Sequence, residues 1–367
     1  MKFRSIAALA AASALTVTLS ITPAQAHSNK HGQHSPRPPV SDVKTLTDGL
    51  VSPLKVAFGP NGSMLVAESF MGQLTSVSKT GAKSVIASAP GTEIAGVSYA
   101  DGTTYYFQNS SAGPGIPGPA ELKTIRNGKT RTVTDLLKFE KKHNPDAKTI
   151  YGVRDAKPSC LAQAPQLQSK GEMYSHPYST APSRNGLYVG DAGANTILNV
   201  SRHGKVTLVK ALPAEPVKIT KEIQAEGAAN GMIVPDCMLG LTYYAEPVPT
   251  DIEVVGNWLY YTVLPGLPGE SASAGKAYRV HLKSHRTELL AKGLSAPTGI
   301  AVDHRGRVYV SELLGAGVSM LSHGKKTTVL PAMMAADVEI GGRTLAVTTN
   351  ALVDPPATGN LMTARIR

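Results

Sequence analysis

Six side chains in this 367-residue chain have types and positions that could do chemistry: Glu68, Glu93, His176, Asp191, Glu312 and Asp337. Carboxylates with amide or carbonyl oxygens suit a hard cation such as Ca2+, and carboxylates with imidazole suit a transition metal. All six form the candidate ligand-binding set, and Glu68, His176, Asp191 and Glu312 form the candidate metal set within it. The competing reading is structural. Acids that end strands accept hydrogen bonds from backbone amides and so hold neighbouring elements together. Among the histidines, His176 is singled out by its place in Ser175-His176-Pro177-Tyr178; His203, His281, His285, His304 and His323 fall in turns or outer strands, where imidazole is solvated. No residue is assigned a catalytic role.

The elements that must position these groups repeat along the chain. An apolar run, a tight Gly turn and a short strand ending on a polar side chain recur as Phe58-Gly59-Pro60-Asn61-Gly62-Ser63-Met64-Leu65-Val66-Ala67-Glu68, Asn185-Gly186-Leu187-Tyr188-Val189-Gly190-Asp191 and Asp303-His304-Arg305-Gly306-Arg307-Val308-Tyr309-Val310-Ser311-Glu312. Repeats of roughly 40–50 residues built from short strands signal a β-propeller, which places function around a central channel. The spacing predicts an all-β, six-bladed β-propeller over residues 43–367, with blades at 51–87, 93–136, 176–212, 248–291, 294–330 and 335 onward. An isolated early strand, Val43-Lys44-Thr45-Leu46, is expected to pair with Leu361–Ile366 of the last blade and close the ring.

Composition frames this architecture. Lys2 and Arg4, an apolar stretch from Ile6 to Ile21 and Ala24-Gln25-Ala26 read as a secretory signal peptide cut after Ala26. Residues 27–42, with His27, His31, His34 and Pro36-Arg37-Pro38-Pro39, read as a disordered leader. The expected location is therefore secreted or extracytoplasmic, with no stable membrane span. The formal charge of +11 loses Lys2 and Arg4 with the signal and falls by two to +9. Scattered Lys and Arg suit a solvated surface or an anionic cell-envelope ligand, and no interleaving of basic and aromatic residues points to nucleic acid. The only cysteines, Cys160 and Cys237, are expected to form a disulfide in an exported protein.

The long interruptions fall on one set of connections. Turns after first and third strands are short X-Gly pairs, such as Asp101-Gly102, Asn127-Gly128 and His323-Gly324, which suit tight hairpins because Gly accepts positive φ. The loops 108–120 and 264–275 follow second strands, and the connections 138–174 and 213–246 join blades; each of these connections holds one cysteine. In a four-stranded antiparallel blade those positions share one face, so one face is trimmed and the other elaborated.

With the repeats laid out, the chain resembles the ScyD/ScyE family of exported NHL-type six-bladed propellers. The resemblance is carried by Leu50–Gly62, His176-Pro177-Tyr178, Tyr188-Val189-Gly190-Asp191-Ala192-Gly193-Ala194-Asn195, Val248-Pro249-Thr250-Asp251-Ile252 and Leu294–Val302. It covers most of the chain from about Val43, and the Asp-Ala-Gly-Ala-Asn stretch is its most specific part. It departs at Ser69-Phe70-Met71-Gly72 and at Val255-Gly256-Asn257. The resemblance implies no catalytic residues. The chain has no G-x-S-x-G elbow, H-E-x-x-H, Walker loop or dinucleotide fingerprint. The expectation is a binding or scaffold protein that offers its elaborated face to a small molecule, an anionic envelope component or a protein partner. The alternatives are a metal-dependent lactone hydrolase or lyase using the acids and His176, and, more remotely, a quinone-dependent sugar dehydrogenase.

Overall fold

The computed structural model describes residues 39–113, 116–269, 272–353 and 358–367. The expected signal peptide and most of the expected leader lie outside the described residues. The leader's last residues do not: β1 (Val40–Leu50) starts three residues before the expected boundary at Val43.

Among the described residues, twenty-eight strands form seven four-stranded antiparallel sheets. The first sheet holds β2 (Pro53–Phe58), β3 (Met64–Glu68), β4 (Gln73–Val77) and β5 (Lys83–Ser88). The second holds β6 (Glu93–Ala100), β7 (Thr103–Gly113), β8 (Ile116–Arg126) and β9 (Lys129–Asp135). Two strands of an insertion follow, β10 (Ile150–Val153) and β11 (Gln168–Lys170), then the third sheet, β12 (Pro177–Ser183), β13 (Gly186–Asp191), β14 (Thr196–Val200) and β15 (Val206–Ala211). The second insertion supplies β16 (Glu215–Lys218) and β17 (Thr242–Ala245). The fourth sheet is β18 (Pro247–Val255), β19 (Trp258–Pro265), β20 (Gly275–His281) and β21 (Thr287–Leu294). The fifth is β22 (Pro297–Val302), β23 (Val308–Glu312), β24 (Gly317–Ser322) and β25 (Lys325–Pro331). The last strands, β26 (Asp337–Gly341), β27 (Thr344–Thr349) and β28 (Gly359–Ile366), are joined by β1, with Lys44 opposite Thr363 and Thr45 opposite Met362.

This all-β arrangement is consistent with a propeller. First strands of successive sheets pack on one another, β2 on β6, β6 on β12, β12 on β18, β18 on β22 and β22 on β26, and β26 packs on β2. The strand sequences explain the layering. Second strands such as Met64-Leu65-Val66-Ala67-Glu68 are buried throughout. Fourth strands such as Lys325-Lys326-Thr327-Thr328 are exposed, and their Lys and Thr protect open edges against pairing with other chains. The short turns match expectation, with Asp101-Gly102 at φ 49° and 73° and Asn127-Gly128 at 50° and 71°.

One expected loop is mostly strand. Residues 108–113 and 116–120 continue the β7–β8 ladder, with Asn109 opposite Ala120 and Gly113 opposite Ile116. The two long connections are not irregular excursions either. They carry helices α1 (Leu136–His143), α2 (Pro158–Leu161) and α3 (Lys221–Ala229), and together build the seventh sheet, in the order β11-β10-β17-β16. Its cross-pairing, Gly152 to Tyr244 and Val153 to Tyr243, joins one insertion to the other. Cys160 is disulfide-bonded to the exposed Cys237 and packs with Val153, Leu167, Ile219, Met232 and Met238 in a separate small core.

A Cys160→Ala/Cys237→Ala variant should lose about 4 kcal/mol, the chain-entropy value for a closed loop of this length. Hydrogen exchange should speed up first in residues 150–153 and 242–245. Unchanged urea unfolding with unchanged exchange in those strands would contradict this.

Candidate functional site

Three of the six candidate residues are fixed by one repeated device. Glu68 ends β3, and its carboxylate accepts from Val51 N at 2.8 Å, Gln73 Nε2 at 3.0 Å and Thr75 Oγ1. Glu312 ends β23 and accepts from Ser295 N at 2.8 Å, Ser319 Oγ at 2.8 Å and Lys326 Nζ at 2.7 Å. In both cases the amide lies 17 residues upstream and the hydroxyl 7 downstream. Asp191 plays the same part at the end of β13. It accepts from His176 N at 2.7 Å, Ser175 Oγ at 2.6 Å, and Gly193 and Ala194 N at 3.1 Å each. The Asp-Ala-Gly-Ala stretch is thus a turn capped by its own aspartate. A Cβ on Gly193 would sit 2.6 Å from His176 N, so only glycine lets this turn lie against His176.

Asp337 belongs to a second group. Its Oδ2 accepts from Val56 N across the sheet boundary at 2.8 Å, and its Oδ1 lies 3.2 Å from Lys55 Nζ. Asp251 does the same on the other side, accepting from Ile300 N at 2.7 Å and pairing with Lys55 Nζ at 2.9 Å. The ammonium also donates to Thr298 O at 2.8 Å and sits 5.2 Å from the centre of the Tyr178 ring. Lys55 is only 2% exposed and meets residues from four other first strands, so the starts of these strands share one end of the molecule. Burial lowers the Lys55 pKa, but Asp251 and Asp337 outweigh it and the net shift is upward. Burial, with Lys55 opposing, leaves Asp337 well above the ordinary carboxylate range. Two positions further along the same strands, burial and then Asp251 push Glu253 up to about 8. Burial and then Glu253 raise Glu339 as well.

The remaining pair, Glu93 and His176, meets directly. His176 Nε2 contacts Glu93 Oε2, and Asn109 Nδ2 bridges Glu93 Oε2 (3.4 Å) and Pro177 O (3.0 Å). Tyr174 stacks on the imidazole with ring centres 6.0 Å apart. Burial pulls the His176 pKa down, but the charge and hydrogen bond of Glu93 outweigh it, so it lies above its ordinary value. This carboxylate–imidazole pair could move a proton.

The six residues therefore occupy several places. His176, Glu93 and Asp191 are brought together; Asp337 joins Lys55 and Asp251; Glu68 and Glu312 stay in the first and fifth sheets. The four-residue metal set is not assembled, because Glu68 and Glu312 spend their oxygens on donors from their own sheets. Among the described residues no three His, Cys, Asp or Glu are placed to hold a metal. Lys55, Asp251, Tyr178, Glu253 and Glu339 were outside the candidate set. Their signal was the alternation Asp251-x-Glu253 and Asp337-x-Glu339 on first strands, which puts both acids of each strand on one side. Nothing in the sequence marked Lys55 as their partner.

Sequence comparison with protein families and with curated proteins finds no match. Comparison with solved structures gives propeller-type proteins. One is a PQQ-bound aldose sugar dehydrogenase from Streptomyces coelicolor, with TM-score 0.53, 14% identity and coverage of 90% of this chain and 99% of that one. Another is regucalcin, a calcium-binding protein from Agrobacterium tumefaciens, with TM-score 0.51, 14% identity and coverage of 89% and 96%. The chain has a β-propeller fold. At these identities the likeness speaks for the fold alone.

Lys55→Met should destabilise the protein by about 3–5 kcal/mol at neutral pH, because it strands two buried carboxylates; a loss under about 1 kcal/mol in urea unfolding would sink this account. The raised groups set a pH trend. The stability contributed by Glu253 is complete below its ordinary value of 4.5 and is lost as pH rises through about 8. Glu339 and His176 act in the same direction. The melting temperature should therefore fall between about pH 5 and about pH 9, and Glu253→Gln should flatten the slope. A rise over that interval would contradict the assignment.

Proposed function

We propose that this is an exported, non-catalytic binding protein of the ScyD/ScyE type. Six of the seven sheets form a closed ring of blades, and the rim that carries the insertion sheet receives a partner. The supporting observation is how the acids are used. Glu68, Asp191, Glu312, Asp251 and Asp337 all hold the fold's own amides, hydroxyls and Lys55, so they are not free to serve a substrate. The connections that follow second strands and lead into first strands instead expose apolar side chains. Phe70, Met71, Leu314 and Met333 are between 43% and 60% exposed there, and Ile233 on the second insertion is 72% exposed. Exposed apolar groups on these loops suit an interaction surface, and methionines adapt to irregular partner shapes. Export is supported by the disulfide, and no helix among the described residues is long and apolar enough to cross a membrane.

A second reading rests on the Glu93–His176 pair, a proton-transfer couple at the same end of the molecule. The neighbours' printed activities, a sugar dehydrogenase among them, keep an enzyme in view.

The two readings separate in a direct assay. The mature chain, incubated with γ- and δ-lactones and added Ca2+, Mn2+ or Zn2+, should show no turnover above background. A rate removed by His176→Gln and by Glu93→Gln would replace the binding reading. Retention of the mature chain on the producing cells' envelope fraction should drop at least tenfold in Phe70→Asp/Met333→Asp; equal retention would remove the rim as the contact surface.

A further inference from the structure

We propose that the opposite, tightly turned end of the molecule carries its own binding crevice, built for an anion with a flat apolar body. The crevice lies between the second and third sheets and encloses about 700 Å³. That is within the roughly 300–1,000 Å³ of small-molecule sites. It is formed by four short turns: Asp101-Gly102, Arg126-Asn127-Gly128, Ser183–Gly186 and Arg202-His203-Gly204. These are the turns after first and third strands, so the crevice is remote from the elaborated rim.

Its rim is cationic and its floor apolar. Arg126, Lys129, Arg131, Arg202 and His203 stand around it, against one acid, Asp101. Among the described residues Arg126, Lys129 and Arg131 have no ion-pair partner, and Arg202 reaches Asp101 only at 3.9 Å, with both side chains exposed. Such an exposed pair is weak and leaves Arg202 available. Beneath them lie Leu122, Leu187 and Val200, all buried, with half-buried Tyr105 beside them. Like charges converging on a concave, low-dielectric wall focus the potential and attract a counter-ion. Guanidinium groups bind carboxylate, sulfate or phosphate through paired N–H donors and also stack on flat rings. The arrangement therefore recognises an acidic head on the rim and an aromatic or similarly flat body on the floor. This assignment is independent of the rim reading, since it uses different turns at the other end of the sheets.

The test uses 8-anilinonaphthalene-1-sulfonate, an aromatic anion whose fluorescence rises on binding, titrated into the mature chain. Near-UV circular dichroism confirms the fold of each variant. Arg126→Glu/Arg131→Glu should weaken binding at least tenfold, with Arg126→Gln/Arg131→Gln as the milder variant if charge reversal disturbs folding. Raising the salt from about 20 mM to about 300 mM should weaken binding to the wild type, because the screening length shortens to below about 10 Å. Phe70→Asp/Met333→Asp, at the other end, should bind as the wild type does. The proposal is overturned if both crevice variants bind normally, if the Phe70/Met333 variant abolishes binding, or if uncharged N-phenyl-1-naphthylamine binds as tightly as the sulfonate.

Discussion

One buried ammonium ties the centre of this molecule together. Lys55 extends from the first sheet to Asp251 of the fourth, Thr298 O of the fifth and Asp337 of the last. Among the described residues no backbone ladder links these sheets, so their packing depends on side chains. Each aspartate uses its second oxygen to hold an amide of the next first strand, Ile300 for Asp251 and Val56 for Asp337. Removing the ammonium would therefore disturb two sheet boundaries at once. Space is scarce around it. A Cβ on Gly299 would come within 2.5 Å of Asp337 Oδ1 and Ser311 Oγ, so glycine is needed where the fifth sheet approaches the cluster.

The same economy governs the acids that end second strands. A carboxylate placed there can reach back to the amide leading into its own sheet and across to a hydroxyl on the third strand. Glu68 and Glu312 do this with identical spacing. Asp191, one methylene shorter, also takes its incoming amide, His176 N, but serves its own turn in place of a third-strand hydroxyl. Ring-end acids in repeat folds are thus poor markers of chemistry by position alone. What distinguishes Glu93 is that its partner is an imidazole rather than an amide.

Much of the architecture was legible because strand periodicity and X-Gly turns are local signals. Met64–Glu68, Gln73–Val77 and the pairing of the early strand with the last one follow from runs of apolar residues and from counting repeats, though not its register. The seventh sheet was not legible. Its strands are three or four residues long and Val153 lies 90 positions before its partner, so no local pattern announces that it will pair with Tyr243. Only the two cysteines hinted that the segments meet. The candidate site was legible by residue type and not by grouping. Strand ends could be located, but which neighbour satisfies each carboxylate depends on three-dimensional packing, and Lys55, an ordinary strand residue in sequence, decides it for two of them.

The pairing of β1 with β28 has a bearing on biogenesis. The first strand among the described residues finds its hydrogen-bonding partner only in the last eight-residue strand, Gly359–Ile366. During synthesis residues 40–50 therefore offer an unsatisfied edge until the last strand has been made. Asp42, Lys44 and Asp48, charged groups on that edge, discourage adventitious association with other nascent chains. A polypeptide released a dozen residues short of its end would keep that edge open indefinitely and become a substrate for quality-control proteases.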